Sequence, residues 1–168
     1  MTPASGTLAS ARPPADPQRG ARNDRPRRPP RLSKSRLLDY LQCPKRLWLE
    51  INQPKLAVTD TKMQARFDEG NQVGALARAF YPDGLMIDAP SRAQQLADTA
   101  HALAGSPRPV FEATFLADDV VVRADLLLPD VDGYRMVEVK SSTTVKPYHL
   151  EDTAIQYWVA RQSGVPIT

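Results

Sequence analysis

Hydrophobic residues before position 105 recur at the three- and four-residue spacing of helices. A leucine-rich stretch over residues 37–41 follows two serines, either of which can cap a helix. Pro44 suits the first turn of a short second helix. Longer apolar stripes predict a third helix over residues 61–80 and a fourth over residues 91–104, which ends at a glycine.

After Pro109 the hydrophobic period changes to two, which is the period of a half-buried strand. Three alternating segments cover residues 110–116, 120–128 and 134–141, and an Asp-Asp turn and a Pro-Asp-Val-Asp-Gly loop separate them. This order predicts three strands joined by hairpins. A last helix is expected over residues 149–162, and the final residues have the character of a further strand that the chain does not complete.

The N-terminal residues differ in composition from the rest of the chain. Residues 1–31 are rich in Pro, Ala, Arg, Ser and Gly and lack an apolar period, so we expect a disordered tail. Residues 1–36 carry nine basic and two acidic residues, within an overall net charge of +3. Such a basic arm can contact a polyanion, although a solvated tail without a partner is more frequent. Residues 32–168 are expected to form one α/β domain, incomplete at its C-terminus.

Composition excludes several classes of protein. No apolar run approaches the roughly 18 residues that a membrane-spanning helix needs, and the N-terminus lacks the apolar region of a secretory signal. The one cysteine, Cys43, excludes an internal disulfide and any all-cysteine metal site made by this chain alone. We therefore expect a cytoplasmic protein without a membrane partner.

Two carboxylates and an ammonium group are expected to meet on the predicted hairpin. Glu138 and Lys140 are two residues apart on one strand, so their side chains project from the same face. Asp125 lies about one register step from Glu138 on the neighbouring strand. The two carboxylates and the backbone carbonyl of Val139 are oxygen ligands of the kind that Mg²⁺ or Mn²⁺ prefers. With Lys140 to orient water or to neutralise phosphate charge, this group predicts metal-dependent phosphodiester hydrolysis.

The acid-x-Lys triplet alone has little specificity. About 0.7 such triplets are expected by chance from 19 acidic residues and six lysines in 168 positions. Asp60-Thr61-Lys62 is a second example, at a helix start, where capping and solvation explain it. The Glu138 triplet lies in an apolar strand whose hairpin partner carries an aspartate, although an ion pair on an edge strand is the alternative interpretation.

Several motifs resemble those of RecB-like nucleases, which include the CRISPR-associated iron–sulfur exonucleases. They occur in the same order in both, over about residues 32–168. They are the opening helix LSKSRLLDYLQCPKRLWL (residues 32–49), FDEGNQVG (67–74), Arg123-Ala-Asp125-Leu with Val122 in place of a glycine, Glu138-Val-Lys140-Ser-Ser, and Gln156-Tyr-Trp. The resemblance implies a restriction-endonuclease-like PD-(D/E)XK core, with a central mixed sheet flanked by helices. It is greatest to a poorly characterised bacterial branch in which this domain is the N-terminal part of longer proteins.

The resemblance also implies a metal ligand that this chain lacks. The family places a metal-binding histidine at the position of Gly74, and neither histidine of this chain can substitute for it. Glu69 or Asn71 is a candidate replacement, and we favour Glu69. Glu112, on the first predicted strand, is a further candidate acid, although a solvent-facing strand residue is the simpler interpretation.

DNA is the partner that the resemblance implies, with the rest of a longer parent protein or a helicase-type protein as further partners. Gln156, Tyr157 and Arg123 are the candidate DNA-binding residues, and Gln156 shares a helix face with Asp152 away from the apolar stripe. Cys43 occupies the position of the first cluster ligand. Because the chain has no second cysteine, an iron–sulfur cluster is expected only in a longer chain, and Cys43 is expected to be a small buried hydrophobic residue.

Two other functions remain open alongside a nuclease. The missing histidine is compatible with a nucleic-acid-binding module whose catalytic centre has decayed. The incomplete C-terminus is compatible with a structural fragment of a larger nuclease protein. DNA cleavage that is lost in Lys140→Ala would identify the nuclease. Salt-sensitive DNA binding without cleavage would identify the nucleic-acid-binding module. A chain that is unfolded on its own would identify the structural fragment.

Overall fold

The computed structural model describes residues 32–57 and 61–168. The predicted tail, residues 1–31, and Asp60 of the second acid-x-Lys triplet lie outside the described residues. Five α-helices and five strands follow in the order β1 (Leu32–Ser33), α1 (Lys34–Gln42), α2 (Pro44–Asn52), α3 (Thr61–Ala79), β2 (Leu85–Met86), α4 (Arg92–Ala104), β3 (Val110–Ala117), β4 (Val120–Asp130), β5 (Gly133–Val137) and α5 (Pro147–Gln162). A 3₁₀ turn, Pro54–Leu56, follows α2.

The helix starts follow from local capping chemistry. Ser33 caps α1, where its Oγ accepts a hydrogen bond from the backbone N–H of Arg36 at 3.3 Å. Pro44 occupies the first turn of α2, and the Oγ of Ser91 accepts a hydrogen bond from the N–H of Gln94 at the start of α4. The helices predicted from the hydrophobic period are therefore confirmed, with ends shifted by at most two residues.

Strand β4 organises a mixed sheet. It pairs antiparallel with β3 along most of its length, parallel with β1 at its start and antiparallel with β5 at its end. Strand β2 joins the sheet by parallel pairing with β3. The chain is thus an α/β protein. The strands β1 and β2 were not predicted, because two residues are too short to show an alternating pattern.

The third strand of the predicted hairpins ends earlier than expected. The pattern predicts a strand over residues 134–141, whereas β5 ends at Val137. The cause is a side chain: the N–H of Val139 donates to Oδ2 of Asp125 at 2.7 Å instead of to a backbone carbonyl of β4. The predicted end of this strand is therefore wrong, and Glu138 and Lys140 lie just beyond β5.

The last described residues run beside β5. Ile167 forms a parallel bridge with Tyr134, whose N–H donates to the Pro166 carbonyl at 2.8 Å and whose carbonyl accepts from the Thr168 N–H at 3.1 Å. A Cβ on Gly133 would lie 2.1 Å from the Pro166 carbonyl oxygen, so only glycine permits this approach. The strand-like character of these residues is thus realised as pairing with the outer edge of β5.

Both faces of the sheet carry buried apolar side chains. The larger cluster includes Val110, Phe115 and Leu127 of the sheet together with Val159 of α5, and α5 packs against β3 and β4. A smaller cluster contains Phe111, Leu126 and Leu128, with Ala77 and Tyr81 packed against it. Packing of α5 on the sheet brings its polar residues beside the end of β5. Among the described residues, no helix has the length and apolar character needed to cross a membrane.

Cys43 does not have the expected environment. The residue is exposed at the junction between α1 and α2, where its N–H donates to the Asp39 carbonyl at 2.9 Å. Its extended backbone, with φ of −165°, separates the two helices. The expectation of a buried hydrophobic role is therefore wrong.

Candidate active site

The β3–β4 ladder is interrupted at one position. The strands pair in unchanged register on both sides of Glu112 and Asp125, but these two opposing residues do not pair. Glu112 has φ of 58°, in the left-handed region that costs a non-glycine residue about 1–3 kcal/mol. Glu112 makes two partly exposed ion pairs, and each of them contributes only about 0–1 kcal/mol, so they typically offset only part of this strain. Backbone strain of this size is characteristic of functional sites.

The interruption opens onto a cleft of about 560 Å³. Asp125, Glu138, Val139 and Lys140 line this cleft together, so four of the positions that the sequence predicted for metal binding and catalysis lie around one space. The other lining residues come from α3, β2, β3 and β4 and from the loops that follow β2 and β5: Gly70, Asn71, Gly74, Arg78, Met86, Asp88, Glu112, Arg123, Leu126 and Ser141.

A closed ring of ion pairs lies against this cleft. Each of two buried carboxylates contacts both of two ammonium groups, through Lys34–Glu138 (3.2 Å), Lys140–Glu138 (2.6 Å), Lys140–Asp152 (2.5 Å) and Lys34–Asp152 (2.8 Å). The side chains of Glu138 and Asp152 are only 8% and 5% exposed. Their burial makes unpaired charge costly, so the ring is held as a unit.

Gln156 completes the ring from the inside of α5. Its side chain is fully buried, and its Nε2 donates to Oε2 of Glu138 at 2.6 Å and, at 3.5 Å, to Oδ1 of Asp152. The amide oxygen has no hydrogen-bond partner among the described residues. This burial leaves Gln156 no open surface for a nucleic-acid strand, and its contacts instead fix the position of Glu138.

The electrostatics of the cleft separate the roles of Asp125 and Lys140. Burial, followed by the charge of Glu138, raises the pKa of Asp125 to about 6, although the Val139 N–H acts in the opposite direction. Burial alone would lower the pKa of Lys140, but its hydrogen bonds to Asp152 and Glu138 outweigh this and raise it. Lys140 therefore stays an ammonium group and acts as a cation rather than as a general base.

The carboxylate oxygens of the cleft differ in how far hydrogen bonds already occupy them. Oδ2 of Asp125 is occupied by the Val139 N–H, whereas Oδ1 accepts no hydrogen bond from the described residues. Glu138 keeps one lone pair on Oε2 beside its bond from Gln156. Within residues 32–57 and 61–168, no three or more His, Cys, Asp or Glu side chains are grouped as a metal site. Two carboxylates with a carbonyl and waters are nevertheless a sufficient set for Mg²⁺, which keeps several waters when bound.

The remaining candidate ligands divide between two clefts. Glu69 lines a neighbouring cleft that shares only Lys140 and Ser141 with the first, and Asn71 lines the cleft of Asp125. Gly74, which replaces the histidine that the motif resemblance implies, also lines the Asp125 cleft. Of the two replacements considered for that histidine, Asn71 is therefore the one beside the carboxylates.

Two predicted DNA-binding residues lie in different surroundings. Arg123 lines the cleft, and its Nη2 lies 2.9 Å from Oε2 of Glu112. Tyr157 is 43% exposed on α5, and its hydroxyl accepts a hydrogen bond from Arg161 at 3.2 Å. Tyr157 does not line the cleft. Arg123 and Glu112 thus belong to the same part of the site, and Tyr157 does not.

Three residues of the site, Lys34, Arg78 and Asp152, were not predicted from the sequence. Asp152 carried a usable signal, because it precedes Gln156 by four residues and so shares its helix face. Lys34 carried none, since it is 104 residues from Glu138 in sequence. Arg78 lies in α3, and its approach to Glu112 depends on how that helix packs.

We expect Asp125→Asn to stabilise the metal-free protein by about 1–2 kcal/mol at pH 8 and very little at pH 3.5. The pKa of Asp125 in the folded state is about 6, above its ordinary value of 3.8. The folded state therefore binds this proton more tightly than the unfolded state, and the protein loses stability as the pH rises from about 3.8 to about 6. Asparagine keeps an oxygen for the Val139 N–H without the charge. Urea unfolding in a chelator, at both pH values, measures the difference.

Asp130→Asn is the matched control, because a hydrogen bond from the Val131 N–H lowers the pKa of that exposed carboxyl. Its substitution is not expected to stabilise the protein at pH 8. An Asp125→Asn variant that is destabilised equally at both pH values would show that neither burial nor the charge of Glu138 penalises the ionised carboxylate of Asp125.

No family model, no curated protein and no solved structure matches this chain. The α/β class follows from the mixed sheet and its helices, independently of any relative. Functional assignment therefore depends on the contacts within the cleft.

Proposed function

We propose that this chain is a PD-(D/E)XK-type nuclease that hydrolyses DNA phosphodiester bonds with Mg²⁺ or Mn²⁺. The observation that carries the proposal is that Asp125, Glu138 and Lys140 line one cleft. The order of α4, three antiparallel strands, α5 and a parallel final segment supports a restriction-endonuclease-like core. The motif resemblance over residues 32–168 supports the same family.

Asp125, Glu138 and the Val139 carbonyl would hold the metal ion. When bound, the ion would lower the pKa of a coordinated water and offset the charge that develops on the phosphate. Burial, followed by the charge of Glu138, raises the pKa of Asp125 to about 6, and a cation between the two carboxylates would offset the contribution of Glu138. The chemistry of the donors, all of them oxygen atoms, favours magnesium or manganese over zinc.

Lys140 would supply positive charge at the reacting phosphate. Its ammonium group has three N–H bonds, of which Glu138 and Asp152 accept two. The third is available to a phosphate oxygen or to the attacking water in the cleft. Because both carboxylates are fixed by further contacts, this donor is pre-oriented before the substrate binds.

A second candidate function is a nucleic-acid-binding module without catalysis. Gly74 stands where the family has a metal-binding histidine, and the described residues lack a three-residue ligand group of His, Cys, Asp or Glu. The same cleft would then bind a nucleic-acid strand without cleaving it. Activity measurements distinguish the two functions.

The test is cleavage of end-labelled single-stranded and duplex DNA by the full chain, with Mg²⁺, with Mn²⁺, and with a chelator. We expect cleavage with either metal and none with the chelator. Glu138→Gln should remove activity, because it removes one of the two carboxylate ligands. Glu151→Gln, which neutralises an exposed carboxylate on α5, is the control and should cleave normally.

DNA binding without cleavage in any metal would replace the nuclease with the binding module. Cleavage that persists in the chelator or in Glu138→Gln would contradict the metal site. RNA cleavage in preference to DNA would retain the chemistry but change the substrate.

A further inference from the structure

Two arginines from separate elements meet at the strained residue of β3. Nη2 of Arg123, on β4, lies 2.9 Å from Oε2 of Glu112, and Nη1 of Arg78, on α3, lies 3.9 Å from its Oε1. All three side chains line the cleft that contains Asp125. They are partly exposed, with 24% for Glu112, 28% for Arg78 and 49% for Arg123, so a ligand in the cleft has access to them.

The charge of this group is unbalanced. Two guanidinium groups face a single carboxylate, so one positive charge is uncompensated by Glu112. A guanidinium group has five N–H donors, and the contacts with Glu112 account for one nitrogen of each arginine. The remaining donors form the planar fork that binds phosphate oxygens in pairs.

We propose that Arg78 and Arg123 bind a backbone phosphate of the nucleic-acid strand next to the phosphate at Asp125, and that Glu112 is the positioning residue that holds them. This inference rests on the proposed function, because it uses the same cleft. It assigns a role to Glu112 that is neither metal binding nor exposure on a strand. Each oxygen of Glu112 faces a guanidinium group, at 2.9 Å for Arg123 and 3.9 Å for Arg78, so the charge of Glu112 is paired with arginines rather than with a metal ion.

The backbone at Glu112 supports this assignment. Glu112 has a φ of 58° at the break in the ladder, opposite Asp125. A regular ladder would pair these two residues, whereas the break lets both side chains line the cleft. Strain at this residue thus has a consequence for binding, because it links the arginine pair to the carboxylate of the reacting site.

The experiment measures the affinity of the full chain for a fluorescent single-stranded oligonucleotide by anisotropy, with Ca²⁺ to limit turnover, over a range of salt concentrations. Arg123→Gln should weaken binding about 10- to 100-fold. It should also reduce the slope of log affinity against log salt by about 1, which corresponds to the loss of one phosphate contact. Arg135→Gln, which removes the same charge from β5 outside the cleft, is the matched control and should change affinity less than threefold, roughly.

Glu112→Gln separates positioning from simple electrostatics. Removing a negative charge beside DNA should raise the affinity if Glu112 acts only through its charge. Loss of positioning should instead lower the affinity and raise KM several-fold, with kcat changed much less. Arg123→Lys keeps the charge but loses the fork, so it should fall between wild type and Arg123→Gln.

Failure of this inference is distinguishable from failure of the proposed function. If wild type cleaves DNA and Arg123→Gln behaves like Arg135→Gln, the arginine site is overturned and the nuclease stands. The arginine site is likewise overturned, and the nuclease stands, if Glu112→Gln binds the oligonucleotide more tightly than wild type. If wild type never cleaves but Arg123→Gln loses affinity selectively, the phosphate site stands and the catalytic function fails.

Discussion

Replacing Lys140 by methionine is expected to lower kcat for DNA cleavage by about 100- to 1,000-fold. Among the residues that the structure describes, the ammonium group of Lys140 is the one cation that contacts both Glu138 and Asp152 and also lines the cleft of Asp125. Methionine keeps most of the side-chain volume and removes only the charge and its donors. Single-turnover cleavage with saturating enzyme measures the chemical step without the contribution of binding.

Two variants make the result specific to the geometry of Lys140. Lys45→Met removes one exposed positive charge elsewhere and should leave kcat unchanged. Lys140→Arg keeps the charge, but a planar guanidinium group cannot reproduce the compact contacts of the ammonium group with two carboxylates. If Lys140→Arg were as active as wild type, positive charge alone would suffice, and the orientation of the ammonium group would have no role.

The elements that could be predicted from the sequence are those that local interactions determine. The helices follow from caps and apolar spacing within a few residues, as at Ser33 and Ser91. The hairpin between β4 and β5 joins Asp125 and Glu138 through a short loop, so its register could be read from the alternating pattern. The three hairpin strands, apart from the end of β5, and the two carboxylates could therefore be predicted.

The remaining features depend on contacts between distant parts of the chain. The contact of Lys34 with Glu138 depends on how the opening helix packs against α5. The early end of β5 is set by a side chain, since Asp125 accepts the hydrogen bond that a strand would have given to the backbone. A pattern of hydrophobic and polar positions contains neither kind of information.

Lys34 has a further consequence for the organisation of the domain. It is the first residue of α1, and it contacts the same two carboxylates as Lys140, at 3.2 Å from Glu138 and 2.8 Å from Asp152. The opening helix is thereby linked to the carboxylates of the cleft. This link explains why a motif at the start of the domain and a motif more than 100 residues later belong to one site.

Asp152→Leu is expected to destabilise the protein by about 3–5 kcal/mol at pH 7, because it leaves two ammonium groups sharing one carboxylate in a buried ring. Burial alone would raise the pKa of Asp152, but hydrogen bonds from Lys140 and Lys34 lower it below 3.8. Its stabilising contribution is therefore complete above about pH 4 and is lost as pH falls through the lower folded pKa. Urea unfolding at pH 7, with Glu151→Leu as the exposed control, measures the loss.

The double variant Lys34→Met/Asp152→Leu distinguishes a structural role of the ring from a positioning role. Removing one charge of each sign leaves the balanced pair Lys140–Glu138, so the double variant should be more stable than Asp152→Leu alone. Its cleavage activity should nevertheless stay low, because Lys140 has lost the carboxylate that holds it opposite Glu138. Activity that returned together with stability would mean that the ring only maintains the fold, whereas stability without activity would mean that Asp152 positions Lys140 for catalysis.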